Sequence, residues 1–504
     1  MRKDPRFPRL GGSAKGRVTT TPGNAGSGGS DSRIPRAGRA VRAGQAGRAA
    51  LLSAVLVTAA MTPVVAEAGS AQATTGGYAI TEITALGQSA PGGGTFVNDF
   101  EPSAINSSGA VAFTADLSVA GQFIGEGVFI AKNGTITQVL RAGMAAPGGV
   151  TLGQGELGRL AMNDAGDLVT GFQLNTVGPN TPFGIDGGVF RYTASTRTLS
   201  AVAVPGQQMP DGGTLLGGGF NFGINNRGDI IYQGIDTGTA VSPGTPPNYQ
   251  GASAGLFEQS KDGVSTRIVG PGDAAPGGGV FDDAWNGSNN NAGDIAFSAH
   301  VQSDPCINIG DPWACGDSLY LRNHATGAIT SIAHQGDPAP GGGDYQTAFG
   351  GLVNSAGQVA FVANTPEANV YQWSKGVVTP VAITGESMPG GGHYVTGTGS
   401  AGPFGQNAQG DVSFTTALDS VTNGLNDTGA YVWSHGTLHL VARTGTVIPG
   451  VGTISYLGEF LNSSGGTNPP AYSMGGQINN RGQVFFTATM TNGTQALLVA
   501  TPAG

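Results

Sequence analysis

Charge is scarce in this chain. Asp, Glu, Lys and Arg make up 11% of its 504 residues, and no apolar stretch of helical period and useful length occurs in the body. A helical fold is therefore excluded, and with Gly at 89 positions the composition suits many short strands and tight turns. Cysteine is nearly absent: only Cys306 and Cys315 occur, with eight residues between them in DPCINIGDPWACGD. Two thiols make a poor metal site and no histidine stands at zinc-finger spacing from them, so structural zinc is excluded. In an exported chain the pair reads as a local disulfide pinning one loop.

Long apolar runs are also missing. The one candidate, AALLSAVLVTAAM from Ala49 to Met61, is shorter than the roughly 20 residues a membrane span needs. It suits the core of a signal peptide, with small residues for cleavage at Ala66-Glu67-Ala68 or Ala71-Gln72-Ala73. No twin-Arg pair precedes it. A secreted, periplasmic or cell-surface location in a bacterium is expected, with no transmembrane span in the mature chain.

Basic residues are few outside the N-terminus. Residues 1–73 hold 11 of the 23 Lys and Arg and only three acids, which leaves 12 basic against 29 acidic residues in the remainder, a net charge of -17 there. An acidic body argues against nucleic acid or an anionic membrane as partner. Residues 1–73 are thus expected to be a disordered basic segment plus signal peptide, and residues 74–504 a single domain.

What is abundant is a repeat. Seven times an Asn is followed three residues later by Gly and then by a strand-like run: Asn106 and Gly109, Asn163 and Gly166, Asn225 and Gly228, Asn290 and Gly293, Asn354 and Gly357, Asn407 and Gly410, Asn479 and Gly482. Asn suits the first position of a type I turn, where its side chain bonds the backbone two residues on. Gly suits the left-handed position that closes a hairpin with a bulge. These are expected to be structural turns. The run after each Gly alternates, as in Ala110-Val111-Ala112-Phe113, which is the pattern of a strand with one face in a core.

A second mark, Gly-x-x-x-Pro followed by glycine, interleaves with the first, also seven times, from GQSAPGGG at Gly87 to GTVIPGVG at Gly445. Third and fourth strands lie between the two marks. Each unit of about 50 to 70 residues thus supplies four short antiparallel strands, and four-stranded units repeated radially are the blades of a β-propeller. The last repeat stops after its third strand, near Ala496 to Ala500, while the body begins with an orphan fourth strand, Tyr78 to Leu86. An all-β, seven-bladed propeller closed by its N-terminal strand is expected, because such closure hides two sheet edges.

Through these residues the chain resembles bacterial exported choice-of-anchor tandem repeat proteins with an NxxGxxAF repeat, over about residues 78 to 500. The match is full at Asn106, Asn290 and Asn354 and weaker at Asn163, where Thr170 replaces the aromatic. The resemblance implies no established activity. Such proteins often carry a C-terminal anchoring segment; the sequence ends at TPAG without an apolar tail, so release rather than anchoring is expected.

Several short strings imitate functional motifs. Ser253 in GASAG lacks the strand-to-helix context of a nucleophile elbow, and Ser318 in GDSL occupies a third-strand start. Arg227-Gly228-Asp229 is the repeat turn itself. The Pro-Gly-Gly segments read as tight connections rather than anion cradles. Asp167, Asp229, Asp294 and Asp411, each directly behind a repeat Gly, offer calcium at most a weak site; no cofactor is expected. All six histidines, His300, His324, His334, His393, His435 and His439, fall in repeats four to six, the one asymmetry among acid–base residues.

Function is expected where the copies differ. The segments between second and third strands, expected as loops at residues 117–126, 175–186, 236–254, 301–317 and 419–428, vary most, lie on the face of the Pro-Gly-Gly connections, and hold or adjoin Phe183, Tyr249, Trp285 and Trp313, a ligand face that could stack on sugars. The leading expectation is a monomeric binding or structural scaffold for an extracellular polysaccharide or envelope component. The alternative is a polysaccharide lyase or glycosidase acting on the same face.

Overall fold

A computed structural model describes residues 64–65, 73–75, 77–175, 187–237, 253–305, 316–395, 404–422, 424–458 and 475–503. The chain divides into two units, Met1–Ala59 and Ala60–Gly504, and every described residue belongs to the second. Those residues form strands and turns only, arranged as a seven-bladed β-propeller of four-stranded antiparallel blades.

The first blade shows the plan. Thr95–Ile105 is innermost, followed outward by Val111–Val119, Gln122–Lys132 and Thr135–Arg141, each antiparallel to the one before. The Asn-x-x-Gly turn joins the first two strands, so every copy lies at one end of the ring. In blade seven, Gly475–Ile478, Val484–Met490 and Gln495–Pro502 are completed by Tyr78–Ala85, which pairs with Gln495–Pro502 from Tyr78↔Pro502 to Ala85↔Ala496. The expected closure by the N-terminal strand is thus present.

The alternating run after each repeat Gly has a packing cause. Its aromatic residue stacks on an aromatic directly opposite in the third strand: Phe113 on Phe129, Tyr232 on Phe257, Phe297 on Tyr320, Phe361 on Tyr371 and Phe414 on Tyr431, with ring centroids 5.4 to 5.8 Å apart. Cross-strand aromatic pairs of this kind add to area burial. In blade two Thr170 faces Phe190 at the same register, so the weaker repeat copy is a missing stacking partner. The apolar core is distributed rather than central. Seven clusters each span a seam between neighbouring blades, including the seam of blades seven and one, where Phe485 and Leu497 pack with Phe96 and Phe113.

The repeat Asn residues fold their own turns as expected. Asn106 Oδ1 accepts from the N–H groups of Ser108 and Ala110, both at 3.0 Å, and Gly109 has φ +83°. The Asp behind three of the glycines caps the hairpin between third and fourth strands of its own blade. Asp167 Oδ1 accepts from Ala194 N–H at 2.9 Å, Asp229 Oδ1 from Lys261 N–H at 3.2 Å and Asp294 Oδ1 from His324 N–H at 3.0 Å.

Two segments expected as variable loops are strand instead. Residues 117–126 and 419–428 mostly extend the second and third strands of blades one and six, and Ala120-Gly121 makes the tight turn of the first. Most of the other three variable segments lies outside the described residues.

Candidate functional site

The inner strands enclose a channel with a cavity of about 450 Å³, and among the described residues none that lines it is ionisable. One end narrows to a collar of Ile105, Met162, Ile224, Val353 and Ile478 with Asn289 and Gln406. Beyond the collar lies a shallow dimple of about 180 Å³ lined by all seven repeat Asn residues.

These Asn residues form a closed ring. Each Nδ2 donates to the main-chain carbonyl of the Asn in the next blade: Asn106 to Asn163, Asn163 to Asn225, Asn225 to Asn290, Asn290 to Asn354, Asn354 to Asn407, Asn407 to Asn479, and Asn479 back to Asn106, at 2.8 to 3.3 Å. Outside it runs a partial second tier. Ser107 N–H donates to Asp164 Oδ1, Asp164 N–H to Asn226 Oδ1, Asn226 N–H to Asn291 Oδ1 and Ala408 N–H to Asn480 Oδ1. Burial would raise the Asp164 carboxyl, but hydrogen bonds from Ser107 and Asn226 outweigh it and hold it below the usual range. The turn end of the ring is therefore built for closure, and the carboxyl that lines its dimple, Asp164, is taken up by hydrogen bonds.

Ionisable groups gather instead at the other end, in blade four. Its strands are Trp285–Asn289, Ile295–Ala299, Ser318–Arg322 and Ile329–Ala333. The connection into the inner strand supplies Asp282 and Asp283, the end of the second strand His300, and the start of the third Asp317. His300 is 4% exposed; its Nδ1 lies 3.0 Å from both Asp282 carboxylate oxygens, and its main-chain N–H donates to Asp283 Oδ1 at 2.9 Å. His300 Nε2 is buried without a partner among the described residues. His334 Nε2 stands 3.3 Å from Asp304 Oδ2, and its Nδ1 meets the carbonyl of Gln335 at 2.9 Å.

The electrostatics follow from crowding. Burial pushes Asp283 up to about 6; the His300 N–H opposes that rise and the Asp282 charge reinforces it. Burial, and then the Asp283 charge, hold Asp317 well above the ordinary carboxylate range. The Trp285 indole N–H works against this, although it falls short of a well-formed hydrogen bond. Burial alone would lower His300, but its bond to Asp282 and the charges of Asp282, Asp283 and Asp304 raise it. Asp317 thus keeps its proton more readily than an ordinary carboxyl and Asp283 loses its own only at about 6, beside a histidine inclined to be charged.

Of the residues expected on a ligand face, Trp285 opens the inner strand of blade four, half-buried and one residue from Asn286 in the channel wall. Phe183, Tyr249 and Trp313 lie outside the described residues, as do Cys306 and Cys315. The histidines do not converge. His393 pairs with Asp419 in blade six at 2.7 Å, and His324, His435 and His439 sit toward the turn end. His435 takes the left-handed turn position that Asn133 holds in blade one, with φ +50° in both. Ser253 and Ser318 each begin a strand, and Ser318 Oγ accepts from Gln335 N–H at 2.9 Å. No group of three or more His, Cys, Asp or Glu suited to a metal occurs among the described residues. None of their helices is long and apolar enough to cross a membrane.

Sequence reasoning missed two features. The Asn ring had a signal, since a turn alone would accept Asp or Ser, yet all seven copies use the one residue of the three whose side chain carries an acceptor oxygen and a separate donor nitrogen. The blade-four carboxylates had a weaker one: Asp282-Asp283 one residue short of Trp285, and Asp304 and Asp317 flanking the two cysteines.

Among solved structures the chain is similar to a Mycobacterium tuberculosis puromycin-hydrolyzing peptidase, at 10% identity and a TM-score of 0.47, over 81% of this chain and 52% of that one. It is similar to Trypanosoma rangeli sialidase, at 10% identity and TM-score 0.35, over 85% of this chain and 60% of that one. A Xanthomonas campestris gluconolactonase matches at 10% identity and TM-score 0.34, over 83% and 99%. The chain spans about half the length of the first of these and under two thirds of the second. No curated protein matches it in sequence. A family profile matches residues 44–503, and the chain belongs to that family, a family of unknown function (DUF7453).

Proposed function

We propose that this is a secreted bacterial propeller that binds an extracellular or envelope polysaccharide at the end of the ring opposite the Asn turns, with blade four as the contact. The observation that carries the reading is the cluster of Asp282, Asp283, His300, Asp304 and Asp317 at that end of blade four, gathered round a buried, carboxylate-oriented histidine. A carboxyl held above its ordinary range, as Asp317 is, both donates and accepts while it keeps its proton, as recognition of sugar hydroxyls requires, and Trp285 adds an apolar ring beside it. The net charge of -17 beyond residue 73 favours a neutral polymer over a polyuronate.

A second reading, a glycosidase or lyase, is favoured by one feature. His300 is oriented through Nδ1 by Asp282 and keeps Nε2 buried without a partner among the described residues, the arrangement of a positioned acid–base group. Tyr320, pushed up to about 12 by burial, stays protonated and makes a poor base there.

Affinity electrophoresis through gels containing neutral, acidic and amino polysaccharides separates the readings. A binding module is retarded by a neutral polymer, loses retardation in Asp317→Asn and Trp285→Ala, and yields no new reducing or unsaturated ends. An enzyme yields such ends and loses them in His300→Ala. Neither retardation nor product with any polymer would remove both readings.

A further inference from the structure

The hairpins between third and fourth strands differ in length from blade to blade, and the residue directly behind the repeat Gly follows that length. Blades two, three and four have wide connections at 194–197, 260–264 and 323–328, and there Asp167, Asp229 and Asp294 cap them. Blades one and five have two-residue turns, Asn133-Gly134 and Lys375-Gly376, with nothing to cap, and the position holds Ala110 and Gln358. Blade seven has no such hairpin, because its fourth strand comes from the N-terminus, and holds Gln483.

Blade six breaks the rule. Its turn is the tight His435-Gly436 pair, with φ +50° and +83°, yet the position holds Asp411. One oxygen, Oδ2, accepts from Asn407 Nδ2 at 2.9 Å; the other, Oδ1, is buried without a partner among the described residues. A carboxylate oxygen buried without a donor is costly, so one that no turn requires calls for another explanation.

Asp411 lines a cleft of about 290 Å³ between blades six and seven, together with Tyr78, Val432, Ser434, His439 and Pro502. Tyr78 is 9% exposed, and burial, followed by the Asp411 charge, raises its hydroxyl pKa. Among the described residues no Lys or Arg lines the cleft. It therefore offers one anionic group, hydroxyls, an aromatic ring and apolar walls in a space the size of a sugar ring or a short aliphatic chain.

We infer that this cleft is a binding site for a primary ammonium group on a small carrier, with Asp411 as its counter-ion and the Tyr78 ring against it. An ammonium supplies the donor that Asp411 Oδ1 lacks, and Ser434 and His439 can meet hydroxyl or amine groups of the carrier. The site lies at the Asn-turn end, away from the blade-four sector, so its failure and that of the polysaccharide reading are independent.

Isothermal titration of the purified protein with glucosamine, putrescine and Nα-acetyl-lysine amide tests the site and distinguishes amino-sugar, polyamine and lysine sources by the arm that binds tightest. N-acetylglucosamine is the uncharged control. The expected result is binding of at least one cation, none of the control, and an affinity loss of at least about tenfold in Asp411→Gln. Asp411→Asn, which keeps the acceptor for Asn407, serves if the Gln variant does not fold. Asp229→Asn, at the equivalent capping position of blade three, leaves binding unchanged. The inference is overturned if no cation binds up to about 10 mM, a level at which even weak ionic recognition registers. It is equally overturned if the folded Asp411 variant binds as the unaltered protein does, or if N-acetylglucosamine binds as well as glucosamine.

Discussion

Asn479 Nδ2 donates to the carbonyl oxygen of Asn106 at 2.8 Å, joining residues 373 positions apart and completing the ring of seven such bonds. The same side chain accepts from the N–H groups of Arg481 and Gln483 through Oδ1. One residue type thus builds a local turn with its oxygen and a blade-to-blade link with its nitrogen.

Asn479→Asp separates the two roles. A carboxylate can still fold the turn, but it sets an oxygen against the Asn106 carbonyl where an N–H had been. The variant is expected to lose about 1–3 kcal/mol of unfolding free energy, measured by urea denaturation. Stability equal to the parent would mean that the ring contributes nothing to closure.

Removing residues 1–86 deletes Tyr78–Ala85 and exposes the edge of Gln495–Pro502. This truncation is expected to aggregate or to lose its cooperative melt, while removal of residues 1–72 leaves one sharp transition. Light scattering alongside circular dichroism distinguishes the two.

Asp283 should give stability a pH slope of defined sign. Its folded pKa of about 6 lies above its ordinary value of 3.8, so its contribution is fully present below pH 4 and is lost as pH rises through 6. The raised pKa of His300 acts in the same direction at higher pH. Asp283→Asn keeps an acceptor for the His300 N–H and removes the charge. It is expected to be more stable than the parent by about 1–2 kcal/mol at pH 7 and nearly equal to it at pH 4. Melts at both pH values check this, and equal shifts at the two would contradict the assignment.

Phe361→Ala removes a fully buried ring that stacks on Tyr371 at 5.4 Å and packs with Tyr345. A loss of about 3–5 kcal/mol is expected. The natural Thr at the equivalent position of blade two, Thr170, shows that the fold tolerates one absent partner, so the variant should still form a propeller, with a lowered melting temperature as the readout.

The blade count was legible from the seven Asn-x-x-Gly copies, and the closure from a strand missing at one end and surplus at the other. Both are local signals, because turn chemistry and strand alternation act over a few residues. The pairing of Phe113 with Phe129 was half legible: the aromatic was visible in six of the seven copies, its stacking across the strands was not. The blade-four site was less so. His300 stood out by residue type, but Asp282, Asp304 and Asp317 are spread over 36 positions and meet only when the second strand returns beside the first and the third beside the second.

By itself, then, the sequence determined what short-range geometry can determine: strands, turns, repeat number and the order in which they close. Only the tertiary structure decided what the repeated Asn does with its nitrogen and which carboxylates gather round His300. It also separated Asp411, left without a hairpin to cap, from Asp167, Asp229 and Asp294. The physical reason is that a hydrogen bond between blades, like the desolvation that shifts a pKa, depends on groups that are distant in the chain and adjacent only once the ring has closed.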